Sequence, residues 1–144
     1  MLNEWSKRFL GMAKLLASWS KIGTGVGAVA RDTESRAVLA TGYNGLPRGV
    51  RDLPERLERP ARYLWGAHAE ENVVANAARK ILEGSTVTVT HLCCCTCARM
   101  LINSGVARVE YGNGKTSMPQ EQFDVALEMF SEAGVELVQL EPCE

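Results

Sequence analysis

Apolar positions along the chain follow two rhythms, and the switches between them predict the elements. Trp5, Phe9, Met12, Leu16 and Trp19 recur at intervals of 4, 3, 4 and 3. That spacing draws one face of a helix over residues 4–19 and directs it at the core. Residues 26–30 are a short apolar run, entered through Gly23-Thr24-Gly25-Val26-Gly27. The glycines suggest a phosphate loop, but neither G-x-G-x-x-G nor G-x-x-x-x-G-K-[ST] is present. The stretch reads instead as a loop entering a buried strand. A turn at 32–35 and a second apolar run at 37–42 complete a β-hairpin over 26–42.

Tyr43-Asn44-Gly45-Leu46-Pro47-Arg48-Gly49-Val50 is a shaped loop, in which Asn44 either caps a turn or touches a ligand. Residues 51–66 are rich in charge and contain two prolines, which predicts a solvated connection with at most a short helical turn. A helix is expected over 68–82, with Val73, Val74, Ala77 and Ile81 inward and Gly84 past its end. Thr86-Val87-Thr88-Val89-Thr90 alternates as a strand. A helix over 97–102, a strand over 106–111, a helix opened by Pro119 and ended by Gly134, and a strand over 135–140 follow. Strands that alternate with helices imply a parallel arrangement over that part of one sheet, with helices on both faces.

Composition narrows the class. A chain of 144 residues with 46% hydrophobic and 23% charged side chains fits a single globular domain over 1–144. No apolar run is long enough for a membrane span, and the charged start, Met1 to Arg8, has no apolar signal-peptide core. A formal charge of −1 argues against general affinity for nucleic acid. Four of the five cysteines fall within residues 93–97, which points to metal binding in a reducing cytoplasm rather than to a disulfide framework.

The chemistry gathers at His68-Ala69-Glu70 and Cys94-Cys95-Thr96-Cys97. Of the clustered thiols, Cys94 and Cys97 have the C-x-x-C spacing that closes on tetrahedral Zn2+, with His68 as the third ligand. Three N/S ligands leave one position open, which is the catalytic rather than the structural arrangement. Glu70 stands two residues from His68 as a proton carrier. H-x-E followed by P-C-x-x-C marks zinc nucleobase deaminases, and the pattern is matched except that Cys93 replaces the proline. Both halves lie at helix starts, where thiolates are favoured. His91 is the one other histidine available to close a structural site. Lys21, Arg48, Arg51 and Arg62 flank the expected mouth, and Arg48, beside the 43–45 loop, is best placed for a phosphate.

These motifs, with Thr41-Gly42-Tyr43-Asn44-Gly45, Pro47-Arg48-Gly49-Val50, His68-Ala69-Glu70-Glu71-Asn72 and Leu101-Ile102-Asn103-Ser104-Gly105-Val106, give the chain a resemblance to the deoxycytidylate (dCMP) deaminases of the cytidine deaminase-like superfamily. The resemblance implies a three-layer α/β/α fold with a five-stranded mixed sheet and zinc at the N-termini of two helices. It implies His68, Cys94 and Cys97 as ligands and Glu70 as proton shuttle. It places Asn44 near the sugar and the Ala69 N–H near the pyrimidine O2. It implies a small-molecule pyrimidine nucleotide as substrate, deamination of dCMP to dUMP and ammonia, and a homo-oligomer. The alternatives are another cytosine-type substrate (modified dCMP, nucleoside, or base in nucleic acid) or a non-catalytic zinc- and nucleotide-binding protein. His91-Leu92-Cys93 departs from the family's Pro-rich approach to the site, and Glu71 is expected to face solvent.

Overall fold

Small residues decide how the first helix meets the sheet. In the computed structural model, which describes residues 3–78 and 80–142, α1 (Glu4–Ala17) is capped by the Asn3 side chain, which accepts from the Ser6 N–H at 2.7 Å. It lies across β1 (Gly27–Arg31) so closely that a β-carbon on Gly27 would run into the backbone of Ala13 and Ala17. This contact selects Phe9, Leu10, Ala13 and Leu16 as part of the buried side. The wider stripe expected inside is only half there, because Trp5, Met12 and Trp19 are 38%, 37% and 55% exposed. Trp5 meets the guanidinium groups of both Arg8 and Arg36, each 4.5 Å from the ring centroid. Trp19 meets Tyr43 edge to face at 5.9 Å. The glycine-rich stretch therefore serves helix packing.

β1 pairs antiparallel with β2 (Val38–Tyr43), forming the expected hairpin. Two single-turn helices, α2 (Pro54–Leu57) and α3 (Arg62–Trp65), interrupt the charged connection. They lead to α4 (Ala69–Asn76), β3 (Thr86–His91), α5 (Cys95–Asn103), β4 (Arg108–Gly114), α6 (Gln120–Ala133) and β5 (Glu136–Gln139). The sheet order is β2-β1-β3-β4-β5. β1 runs antiparallel to β3, while β3, β4 and β5 are parallel, so the sheet is mixed. Ala28, Ala30, Ala40, Val87, Val89 and Val109 join the main core with residues of α4, α5 and α6. Val29 points the other way, into the smaller core with Phe9, Ala13 and Leu16 of α1. On that face Arg31 is buried beside the Glu110 carboxylate, reaches Thr88 Oγ1 at 2.8 Å and stacks over Phe9 at 4.5 Å.

α4 ends earlier than its apolar rhythm suggests. Ala77 turns extended, Lys80 takes a left-handed φ of 68°, and Ile81 is 40% exposed while Leu82 is buried. Two side chains fix where the helix lies. Asn72 donates to Tyr43 O and Asn76 to Thr41 O, each at 2.8 Å. Gly42 completes the seat, since a β-carbon there would meet Ala69 O and come within 2.7 Å of Val73 N. Arg79 of the expected helix, and Met1 and Leu2 of the expected leaderless start, lie outside the described residues.

Candidate active site

The seat of α4 on Gly42 brings its N-terminus to the end of the sheet, next to that of α5. His68 is the N-cap of α4 and Cys94 that of α5, with Cys97 in the first turn of α5. His68 Nδ1 lies 3.2 Å from Cys97 Sγ and 3.5 Å from Cys94 Sγ. The three donor atoms all lie within 4.8 Å of one another. Tetrahedral zinc with ordinary Zn–N and Zn–S bonds sets nitrogen and sulfur about 3.5 Å apart. The trio therefore fits such an ion.

The other thiols have different work. Cys93 is fully buried in the main core, and burial, then the nearby Glu70 carboxylate, push its thiol well above the usual range. It stays protonated and stands outside the trio. Cys95 Sγ donates to Gln122 Oε1 at 2.8 Å, tying α5 to α6. His91 stands outside the trio too. Its Nδ1 is 2.7 Å from Thr90 Oγ1, and a backbone group of Lys115 also hydrogen-bonds the ring.

Electrostatics favour metal uptake. Cys94 is held at about 4, chiefly because Cys97 donates a hydrogen bond to its sulfur, with His68 adding to the effect. The same bond, and burial, push Cys97 far up. One proton is thus shared unequally between two sulfurs. His68 is raised to about 9 by its bond to Cys94. Glu70 is 4% exposed, and burial raises its carboxyl, which suits a group that must take up and release a proton. Glu71 turns back toward the chain, accepting from the His68 N–H at 3.2 Å, instead of facing only solvent.

A cavity of about 90 Å³ opens over this cluster, lined by His68, Ala69, Glu70 and Cys94. Ala69 is the first residue of α4, so its N–H has no partner within the helix. Asn44 also lines the cavity, but its amide is largely engaged. Its Oδ1 accepts from Val26 N–H and its Nδ2 donates to Thr24 O, both at 2.8 Å.

Of the cations expected at the mouth, Arg62 lines the cavity, whereas Arg48 and Lys21 do not. Arg48 reaches away to Asn76 Oδ1 at 2.7 Å, and Lys21 pairs with Asp52 at 2.6 Å. Arg62 and Tyr63 line the cavity instead, with Thr24 and Thr116. Arg62 was legible as a mouth residue. What sequence could not show is that α3 brings Arg62 and Tyr63 to the cavity while Arg48 is engaged by Asn76 at the end of α4. Leu92, Met118 and Phe123 supply the apolar wall.

The chain also has relatives among known proteins. The chain is 42% identical to an uncharacterised deaminase from the luxG 3′ region of Aliivibrio fischeri, over 97% of this chain and 96% of that one. It is 32% identical to mouse deoxycytidylate deaminase, over 92% and 77%. Its fold superposes on the dCMP deaminase of cyanophage S-TIM5, solved with dCMP and dUMP, with a TM-score of 0.74 and 26% identity over 97% and 99% of the two chains. Residues 3–113 match the cytidine and deoxycytidylate deaminase zinc-binding region, and the chain belongs to that family of deaminases.

Proposed function

We propose that this chain, as a single domain over 1–144, is a zinc-dependent deaminase that converts dCMP and water to dUMP and ammonia. One observation carries the reading: a single cavity is lined both by the metal-competent cluster with Glu70 and, among its described lining residues, by one permanent cation, Arg62. His68, Cys94 and Cys97 would hold the zinc, which when bound supplies an activated water. Glu70 takes a proton, delivers it to the ring nitrogen N3, and helps the departing amine leave as ammonia. Its burial raises the carboxyl, which favours uptake of a proton. The Ala69 N–H donates to the pyrimidine O2 as a dipole fixed by the helix start. Asn44 orients the sugar with the amide capacity left after its two backbone bonds. Arg62 holds the 5′-phosphate, which a guanidinium grips through paired donors.

Ammonia release from dCMP, CMP, deoxycytidine and cytosine tests this. dCMP should be the best substrate. Arg62→Ala should raise KM for dCMP about 10–100-fold, the cost of one charge-assisted bond, and leave deoxycytidine nearly unchanged. Arg48→Ala should leave both unchanged. Equal losses on nucleotide and nucleoside in the Arg62 variant would refute the phosphate assignment. Apolar side chains of the outer α1 surface, with Leu15 58% exposed, and Leu64 at 89% support a homo-oligomer. Light scattering that reads a monomer at assay concentration would remove that part.

A further inference from the structure

His91 holds a position that the chemistry above leaves unused. Two cavities meet at it. The cavity over the metal-competent cluster, about 90 Å³, and a neighbouring chamber of about 330 Å³ share His91, Leu92, Thr116 and Phe123 as walls. The chamber is otherwise polar at its far side, with Asn113, Gln120 and Gln139.

The imidazole between them is fixed on three sides. Thr90 Oγ1 lies 2.7 Å from Nδ1 and itself accepts from the Gly27 N–H at 3.2 Å. A backbone group of Lys115 also bonds the ring in the sense that favours its charged form, as a carbonyl acceptor would. If the Thr90 hydroxyl donates to Nδ1, the arrangement the clamp requires, that contact falls to Nε2–H. The third side is Gly114. A β-carbon there would sit on the ring face, about equally near Cε1, Nδ1 and Nε2. A register shift between Val89 and His91 brings Gly114 opposite His91.

We propose that His91 is a specificity-determining, positioning residue: by pinning residues 114–116 it walls the substrate cavity off from the neighbouring chamber. The proposal rests on reading that cavity as the substrate site. It places no demand on His91 as acid, base or ligand. Removing the ring joins the two spaces and frees the segment that carries Thr116 and Met118.

His91→Ala is assayed on dCMP and on dCMP analogues enlarged on the ring or sugar. KM for dCMP should rise about tenfold with kcat within about twofold. At least one enlarged analogue should gain tenfold or more in kcat/KM relative to dCMP. Gly114→Ala, which displaces the ring without deleting it, should shift the same ratios in the same direction. Equal loss on every substrate, or no change in either variant, would overturn the proposal. Two readouts do not depend on which nucleotide is the substrate. ¹⁵N spectra of the wild type should show a neutral Nε2–H imidazole. Amide exchange over residues 114–118 should speed up at least tenfold in His91→Ala. An Nδ1–H tautomer, or unchanged exchange, sinks the clamp whatever the dCMP assay returns.

Discussion

The metal cradle and the nucleotide mouth are built in opposite ways, although they face the same cavity. The cradle hangs on backbone. α4 rests on Gly42, Asn72 and Asn76 tie it to β2, and its N-cap His68 meets the N-cap Cys94 of α5. The mouth hangs on side chains borne by short turns: Arg62 and Tyr63 on α3, and Thr116 and Met118 beyond β4. Tyr63 Oη is within 3.3 Å of Ser117 Oγ, one of the few ties across it. The difference separates how the protein reacts from what it reacts with. On the proposed assignment the reaction is held by packed helices, whereas the choice of substrate is held by loops that can change without disturbing the core.

The contrast can be broken most completely at the cradle. Cys94→Ala should lose zinc and all activity, whereas Cys93→Ala should keep its metal. Metal analysis of the two purified variants decides, and zinc loss from the second would mean that the ligand register is wrong. Glu70→Gln comes next. It should lower kcat about 10²–10⁴-fold, as expected for lost proton transfer, with zinc content unchanged. A variant that also lost its zinc would place Glu70 among the groups holding the site together.

Metal uptake should depend steeply on pH. A ligand must shed its proton, and His68 is raised to about 9 while Cys97 is raised further. Below about pH 9 both groups are protonated in the metal-free protein and both must deprotonate on binding. Cys94, held at about 4, is already a thiolate at neutral pH. Zinc affinity should therefore climb about a hundredfold per pH unit between pH 6.5 and 8.5, two protons being released. Competition with a chelator at several pH values measures the slope, and a flat profile would contradict the shared-proton arrangement.

The smallest expected effect tests the seat itself. Gly42→Ala should cost about 1–3 kcal/mol of stability through overpacking and lower kcat more than KM, because α4 carries Glu70. Thermal unfolding with kinetics would read both. A shift in KM alone would mean that the seat serves the mouth instead.

The cradle was legible in the sequence because its chemistry is written in spacing. H-x-E and C-x-x-C fix their neighbours within a turn of backbone, and helix starts follow from the pattern around them. The hairpin and the parallel half of the sheet were legible for the same local reason. What escaped depends on contacts between distant segments. α1 turns Trp5 and Met12 outward because Gly27 admits Ala13 and Ala17, and it ends at Ala17, short of the expected Trp19. α4 stops at Asn76, where its side chain is spent on Thr41 O and on Arg48. That same bond keeps Arg48 from the cavity and leaves the position to Arg62. No local rhythm records such choices.

The two asparagines of α4 have a further consequence, for the behaviour of the protein at high concentration. β2 is an outer strand, and the carbonyls of Thr41 and Tyr43 would otherwise face solvent as acceptors for a strand from another chain. Asn72 and Asn76 occupy both. At the opposite rim β5 is four residues long, with Glu136 tied to Arg108 at 2.7 Å. A short, charged rim and a capped one give little purchase for edge-to-edge aggregation. Edge-to-edge pairing of copies is thereby disfavoured, and the sheet is kept from becoming a template.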